Sequence, residues 1–187
     1  QRFWRKTKST FYLNNVSVNT SAGSALQIKG NVEAAVTIHL TGTNSLITKN
    51  NYNAGLQKDN KAQLIIKTND SDTTAGILNA RSIDGDGAGI GGGLYGSCSN
   101  ITIDSVSVIA SSKYGAGIGG NKQGAGSNIT INSASVTASS TDGAGIGGGK
   151  GYGGSCKNIT INGGSVKASS VSGSPTNEGK EVYCCTY

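Results

Sequence analysis

From residue 98 to residue 170, apolar and polar positions alternate in short runs that restart at a fixed interval. Asn-Ile-Thr-Ile recurs at 100–103, 128–131 and 158–161. Each copy leads into a second alternating run: SVSVIASS (105–112), SASVTASS (133–140) and GGSVKASS (163–170). Alternation of period two over a few residues marks a half-buried strand. Gly-Ala-Gly-Ile-Gly-Gly precedes each pair at 87–92, 115–120 and 143–148, with 28 residues from copy to copy, and supplies a third short segment. The same frame runs backward more weakly. Ala25-Leu26 and Gly55-Leu56 align with Gly89-Ile90, Gly117-Ile118 and Gly145-Ile146. AVTIHL (35–40) and AQLIIK (62–67) fit the second segment, and NSLITK (44–49) and AGILNA (75–80) the third. FYLNNVSV (11–18) starts a first, incomplete coil.

A unit of this size cannot bury its own apolar face, but it can do so by stacking on its neighbours. The pattern therefore predicts an all-β fold, a parallel β-solenoid of about five coils with three short strands per coil and rungs about 4.8 Å apart. Alternation assigns the faces. Ile101, Ile103, Ile129, Ile131, Ile159 and Ile161 point inward, as do Val108, Val136 and Val166, with Ala110, Ala138 and Ala168 beside them. Asn100, Thr102 and Asp104 face outward and stack on Asn128, Thr130 and Asn132, then on Asn158, Thr160 and Asn162. The expected division is a basic arm or cap at 1–10, the solenoid at 11–170 and a cysteine-containing tail or cap at 171–187.

Composition narrows this further. Glycine accounts for 30 of 187 residues and proline for one. Glycine in every segment argues against helices, where each costs about 1 kcal/mol. Collagen is excluded because glycine has no three-residue period. No apolar run approaches the roughly 20 residues of a membrane-spanning helix. The net charge of +6 is concentrated in Arg2, Arg5, Lys6 and Lys8, beside Trp4, and the remainder is nearly neutral. A nucleic-acid-binding face spreads its cations among aromatics over one surface, so no nucleic-acid partner is expected. No apolar stretch follows these charges, as expected of a fragment or of a chain already processed to start at Gln1.

GAGIGGG, a Gly-rich connection and then NITI-x-GG-SV-x-A resemble the right-handed parallel β-helix repeats of adhesin-like surface proteins of gut bacteria and archaea, and of some parasitic protists. FYLNNVSVNTSAGSALQI and AVTIHLTGTNSLIT are similar to modules of that group labelled carbohydrate-binding. The resemblance spans about residues 11–170. It implies a right-handed coil and a place outside the cell or on its surface, and it carries no catalytic motif.

Cys98 and Cys156 share one column with Gly126 between them. Two rungs separate them by about 9.6 Å, beyond the roughly 7 Å a disulfide spans. No bond between them is expected. Cys184 or Cys185 instead pairs with Cys156 or with a neighbouring molecule, in an oxidising compartment. The alternative is thiols buried in a stacked column. Without a CxxC spacing no zinc site is read, and no cofactor is expected. Glycosylation sequons fall at Asn15, Asn19, Asn69, Asn100, Asn128 and Asn158. The last three are in register, where side-chain amides can also hydrogen-bond from rung to rung.

Polysaccharide-active enzymes also use solenoids. Asp86 and Asp142 occupy equivalent places before GAGI, with Tyr114 at that place in the coil between. About 9.6 Å lies at the upper end for an inverting carboxylate pair. No Arg adjoins them, however, and Asp before Gly is common in turns. Asp84-Gly-Asp86-Gly lacks the spaced ligands of a calcium loop. His39 faces outward in its strand with no His or Cys partner in sequence. Tyr95, Tyr114 and Tyr152 lie on Gly-rich corners, where they either stack on sugars or cover turns. A single Thr column, Thr102, Thr130 and Thr160, falls short of the two expected of an ice-binding face. The expected function is non-enzymatic: a surface, stalk or fibre-building module that self-associates through its ends. Glycan binding is the alternative, and ice binding and polysaccharide chemistry rank below it.

Overall fold

The computed structural model describes residues 8–94 and 96–169. Among these the chain is all β, with no helix. It opens with β1 (Ser9–Asn14) and β2 (Ser17–Thr20), and a full coil follows with β3 (Leu26–Ile28), β4 (Val36–Thr41) and β5 (Thr43–Thr48). The next coil holds β6 (Leu56–Lys58), β7 (Leu64–Thr68) and β8 (Ile77–Ser82), and the one after it β9 (Ile90–Gly91), β10 (Cys98–Asp104) and β11 (Ser107–Ser112). The last two coils are β12 (Ile118–Gly119) with β13 (Gly126–Ser140), and β14 (Ile146–Gly147) with β15 (Cys156–Ala168). The ladder thus begins at Ser9, slightly ahead of the segment read as solenoid.

Every strand pairs in parallel with the equivalent strand one coil away. One face is the sheet β3-β6-β9-β12-β14, which aligns Leu26, Leu56, Ile90, Ile118 and Ile146. A second face runs from β1 through β4, β7 and β10 to the first halves of β13 and β15. The third runs from β2 through β5, β8 and β11 to their second halves. The weak early repeats are therefore in register with the strong later ones. Val36 pairs with Leu64, Leu64 with Ile101, and Ile101 with Ile129.

The three segments of a coil are less separate than their sequence suggests. In the last two coils the second and third segments form one bent strand each, β13 and β15. The bend is left-handed: one residue in β13, Ser133 at φ 46°, and two in β15, Gly163 at 78° and Gly164 at 90°. Ser105 at 51°, Gly42 at 61° and Asn15 at 54° stand at the same corner in earlier coils. One or two left-handed residues turn the strand and leave the ladder almost unbroken.

Inside, Ile101, Ile103, Ile129, Ile131 and Ile159 are fully buried, against Ile90, Ile118 and Val136 from the other faces. Each such side chain contributes about 1.5–3 kcal/mol by leaving water. Ile161, Val166 and Ala168 belong to the same columns but are only partly buried, because β15 is the last rung described. A tight corner after the first segment is built from Gly91, Gly119 and Gly147, with φ of 134°, 136° and 133°. A Cβ on Gly119 would overlap the carbonyl of Gly147 on the next rung.

Gly119→Ala should therefore destabilise the fold by about 3 kcal/mol, combining a forbidden φ with a backbone clash. Gly23→Ala meets open space and should be nearly neutral. Urea unfolding of both variants checks this, and equal midpoints would count against the stacked-glycine corner.

Candidate functional site

The corner ahead of the first face carries the densest grouping of charged and aromatic side chains. Asp86, Tyr114 and Asp142 follow one another there on successive coils. Their amides donate to carbonyls one coil earlier: Asp86 to Asn51 at 2.7 Å, Tyr114 to Gly85 at 3.4 Å and Asp142 to Lys113 at 2.9 Å. The Gly-rich connections fold back beside this column. Lys122 N–H donates to the Asp86 carbonyl at 2.7 Å, and Lys150 N–H to the Tyr114 carbonyl at 2.9 Å. This places the two lysine side chains on successive coils along the same edge. Lys122 Nζ lies 3.4 Å from Asp86 Oδ1, and Lys150 Nζ lies 3.0 Å from Asp142 Oδ2.

Three ammonium groups surround the Tyr114 ring. Lys113, Lys122 and Lys150 Nζ lie 5.0, 5.3 and 5.6 Å from its centroid, within the roughly 6 Å over which a ring attracts a cation. Tyr114 is half-buried, and its ring serves as an anchor for lysines. Tyr152, on the connection after Lys150, is completely exposed. Tyr95 lies outside the described residues. Asp86, Tyr114 and Asp142 align in one column of the repeat, whereas the lysines do not stand out in it. Their signal is a Lys eight residues after Tyr114 and another eight after Asp142.

A second polar grouping is internal and was not anticipated. Where later coils have glycine after the first-face apolar residue, the β6 coil has Gln57, Lys58, Asp59 and Asn60. Gln57 pairs with Gly91 in the ladder. Asn53 Nδ2 donates to Gln57 Oε1 at 2.7 Å, Gln57 Nε2 to Asp59 Oδ2 at 2.5 Å, and Gly93 N–H to Asp59 Oδ1 at 2.6 Å. Lys58 is fully buried, and its Nζ donates to the carbonyls of Asn60 at 2.8 Å and Ser99 at 2.7 Å. Burial lowers its pKa from the ordinary lysine value, opposed by the nearby Cys98 and Asp59. The network satisfies polar groups whose burial without partners costs about 1–3 kcal/mol each. Its sequence signal was the departure from the glycine pattern.

Cys98, one of the disulfide candidates, is instead a buried thiol. The register sets Gly126 between Cys98 and Cys156 on successive rungs. Burial pushes the Cys98 thiol up to about 12, partly offset by the positive charge of Lys58. Cys184 and Cys185 lie outside the described residues, as do Arg2, Trp4, Arg5 and Lys6, while Lys8 is exposed just ahead of β1. His39 does face away from the core, but it is covered. Tyr12 stacks on it with ring centroids 4.9 Å apart, and it is only 9% exposed. Among the described residues, no group of three His, Cys, Asp or Glu could hold a metal ion, and no helix is long and apolar enough to cross a membrane.

The in-register asparagines form a ladder. Asn128 Nδ2 donates to Asn100 Oδ1 at 3.0 Å, Asn158 Nδ2 to Asn128 Oδ1 at 2.9 Å, and Asn100 Nδ2 to the Lys61 carbonyl at 2.8 Å. All three residues are left-handed, with φ of 60°, 51° and 55°, a conformation asparagine tolerates better than most side chains. Asn15 Nδ2 donates to Asn14 Oδ1 and Asn69 Nδ2 to Ser71 Oγ. Asn19 is exposed on β2, and its amide has no hydrogen-bond partner among the described residues.

Fold and ladder together define a β-helix repeat module. A family model for the beta helix repeat matches residues 129–150 and 159–174. No curated protein and no solved structure matches the chain.

Two tests follow from this geometry. Brief iodoacetamide treatment of the native protein at pH 8 should leave Cys98 unmodified, and the same treatment in urea should label it, as read by peptide mass spectrometry. Rapid native labelling would contradict the buried thiol. Expressed through a eukaryotic secretory pathway, the chain should carry a glycan at Asn19 and none at Asn128, whose amide sits between two rungs. Asn19→Gln should then abolish the corresponding mass shift, and a glycan on Asn128 would contradict the ladder.

Proposed function

We propose that this solenoid is a non-enzymatic structural module of an extracellular or cell-surface protein of the adhesin-like type, and that it builds a stalk or fibre by self-association through its ends. The observation that carries the reading is that the ladder does not close. Among the described residues β1 pairs only with β4, and β15 pairs only with β13. Among the described residues, the apolar columns also reach the surface at both ends. Phe11 is 53% exposed, and a cavity of about 370 Å³ opens among Phe11, Leu13, Leu26, Ile28, Val32 and Val36. At the other end Ile161 and Val166 are partly uncovered. Open parallel edges template further strands. A second copy displaced along the axis would set its β1 beside β15 in the pairing used within the molecule. Such a head-to-tail contact repeats without closing and yields fibres.

Glycan binding is a second reading, favoured by one observation: the fully exposed Tyr152 follows directly on the lysine-bearing edge at Tyr114.

Negative-stain electron microscopy with and without reductant tests the structural reading. Filaments are expected, and their shortening on reduction would place Cys184 or Cys185 at the joints. A monodisperse monomer by light scattering at high concentration would overturn it.

A further inference from the structure

We infer that the edge carrying Lys113, Lys122, Lys150 and Tyr152 binds an acidic polysaccharide, a linear uronate polymer lying along the solenoid axis, and that Tyr114 is the positioning residue that holds the ammonium groups in place. This rests on the glycan-binding reading above and names the ligand class for it. Lys122 and Lys150 come from successive coils, so their attachment points repeat at the rung spacing of about 4.8 Å. Both ammonium groups lie over the same Tyr114 ring, on an edge that runs from coil to coil.

The lysines are ordered yet available. The Tyr114 ring draws all three ammonium groups to within 5.0–5.6 Å of its centroid. Lys113 forms no ion pair among the described residues, and the side chains of Lys122 and Lys150 remain 40% and 46% exposed. Each ammonium has three donors, so the bonds to Asp86 and Asp142 leave donors for a ligand carboxylate. Ion pairs this exposed are worth at most about 1 kcal/mol and exchange easily. Tyr152 stands free beside Lys150, offering an uncovered ring to a sugar face.

The local charge also selects the polymer. Three lysines against Asp86 and Asp142 leave a slight positive excess, suited to a sparsely charged polyuronate. Nucleic acid, with a charge about every 1.7 Å along a duplex, demands a denser basic surface.

The test is binding of the full chain to polymannuronate, with its esterified neutral form, dextran and single-stranded DNA as comparisons. Polymannuronate should bind, and its affinity should fall as salt is raised. Lys122→Ala and Lys150→Ala should each weaken it about fivefold. Tyr114→Leu should weaken it similarly while the unfolding midpoint is followed in parallel, and Tyr114→Phe, which keeps the ring, should restore it. Loss of binding in Tyr114→Phe would overturn the positioning role. Equal binding of the esterified polymer or dextran would overturn the acidic class and leave the glycan-binding reading standing. Binding to none of the polysaccharides would overturn both. Preference for DNA would replace the proposal with general polyanion binding.

Discussion

Successive coils lie about 4.8 Å apart because each strand hydrogen-bonds to the strand one coil away, and this spacing admits only what can repeat. An isoleucine must sit on an isoleucine or on a residue of similar reach, as in the column Leu64, Ile101, Ile129 and Ile159. Outward asparagines in register bond amide to amide, as Asn100, Asn128 and Asn158 do. The corner at Gly91 and Gly119 is the strictest case, since one rung's Cβ would occupy the next rung's carbonyl. Stability is consequently distributed: no coil has a core of its own, and each depends on its neighbours.

Departures from the repeat put polar and charged side chains where the regular coils have glycine. The β6 coil replaces corner glycines with Gln57, Lys58, Asp59 and Asn60, and the ladder tolerates them because they satisfy one another and the carbonyls of Asn60 and Ser99. This buried network joins the loosely repetitive early coils to the regular later ones. On the outer edge, the connections after the first face are free of the ladder's strict spacing. They carry Lys122 and Lys150, whose side chains are partly exposed, and the fully exposed Tyr152.

The two proposed roles draw on different parts of the same construction. The proposed assembly would use the ends, where, among the described residues, the columns of Phe11 and Leu13 and of Ile161 and Val166 come to the surface. The proposed glycan recognition would use the flank, where lysines of successive coils meet over Tyr114.

Alternation and the 28-residue spacing determined the coil count, the inward columns and the outward Asn and Thr ladders, because a backbone of period two gives each side chain a definite side. They also aligned Asp86, Tyr114 and Asp142. Two conformational facts were hidden: the left-handed corners at Asn100, Ser105 and Ser133, and the fusion of adjacent segments into β13 and β15. Both depend on a single dihedral angle that residue type biases but does not dictate. His39 was read correctly as outward, yet Tyr12 of the preceding coil covers it. Lysines 113, 122 and 150 gather on Tyr114 for a related reason. Long side chains cross from one coil to another, and where their tips meet is decided by the stacked backbone that carries them, not by their order along the chain.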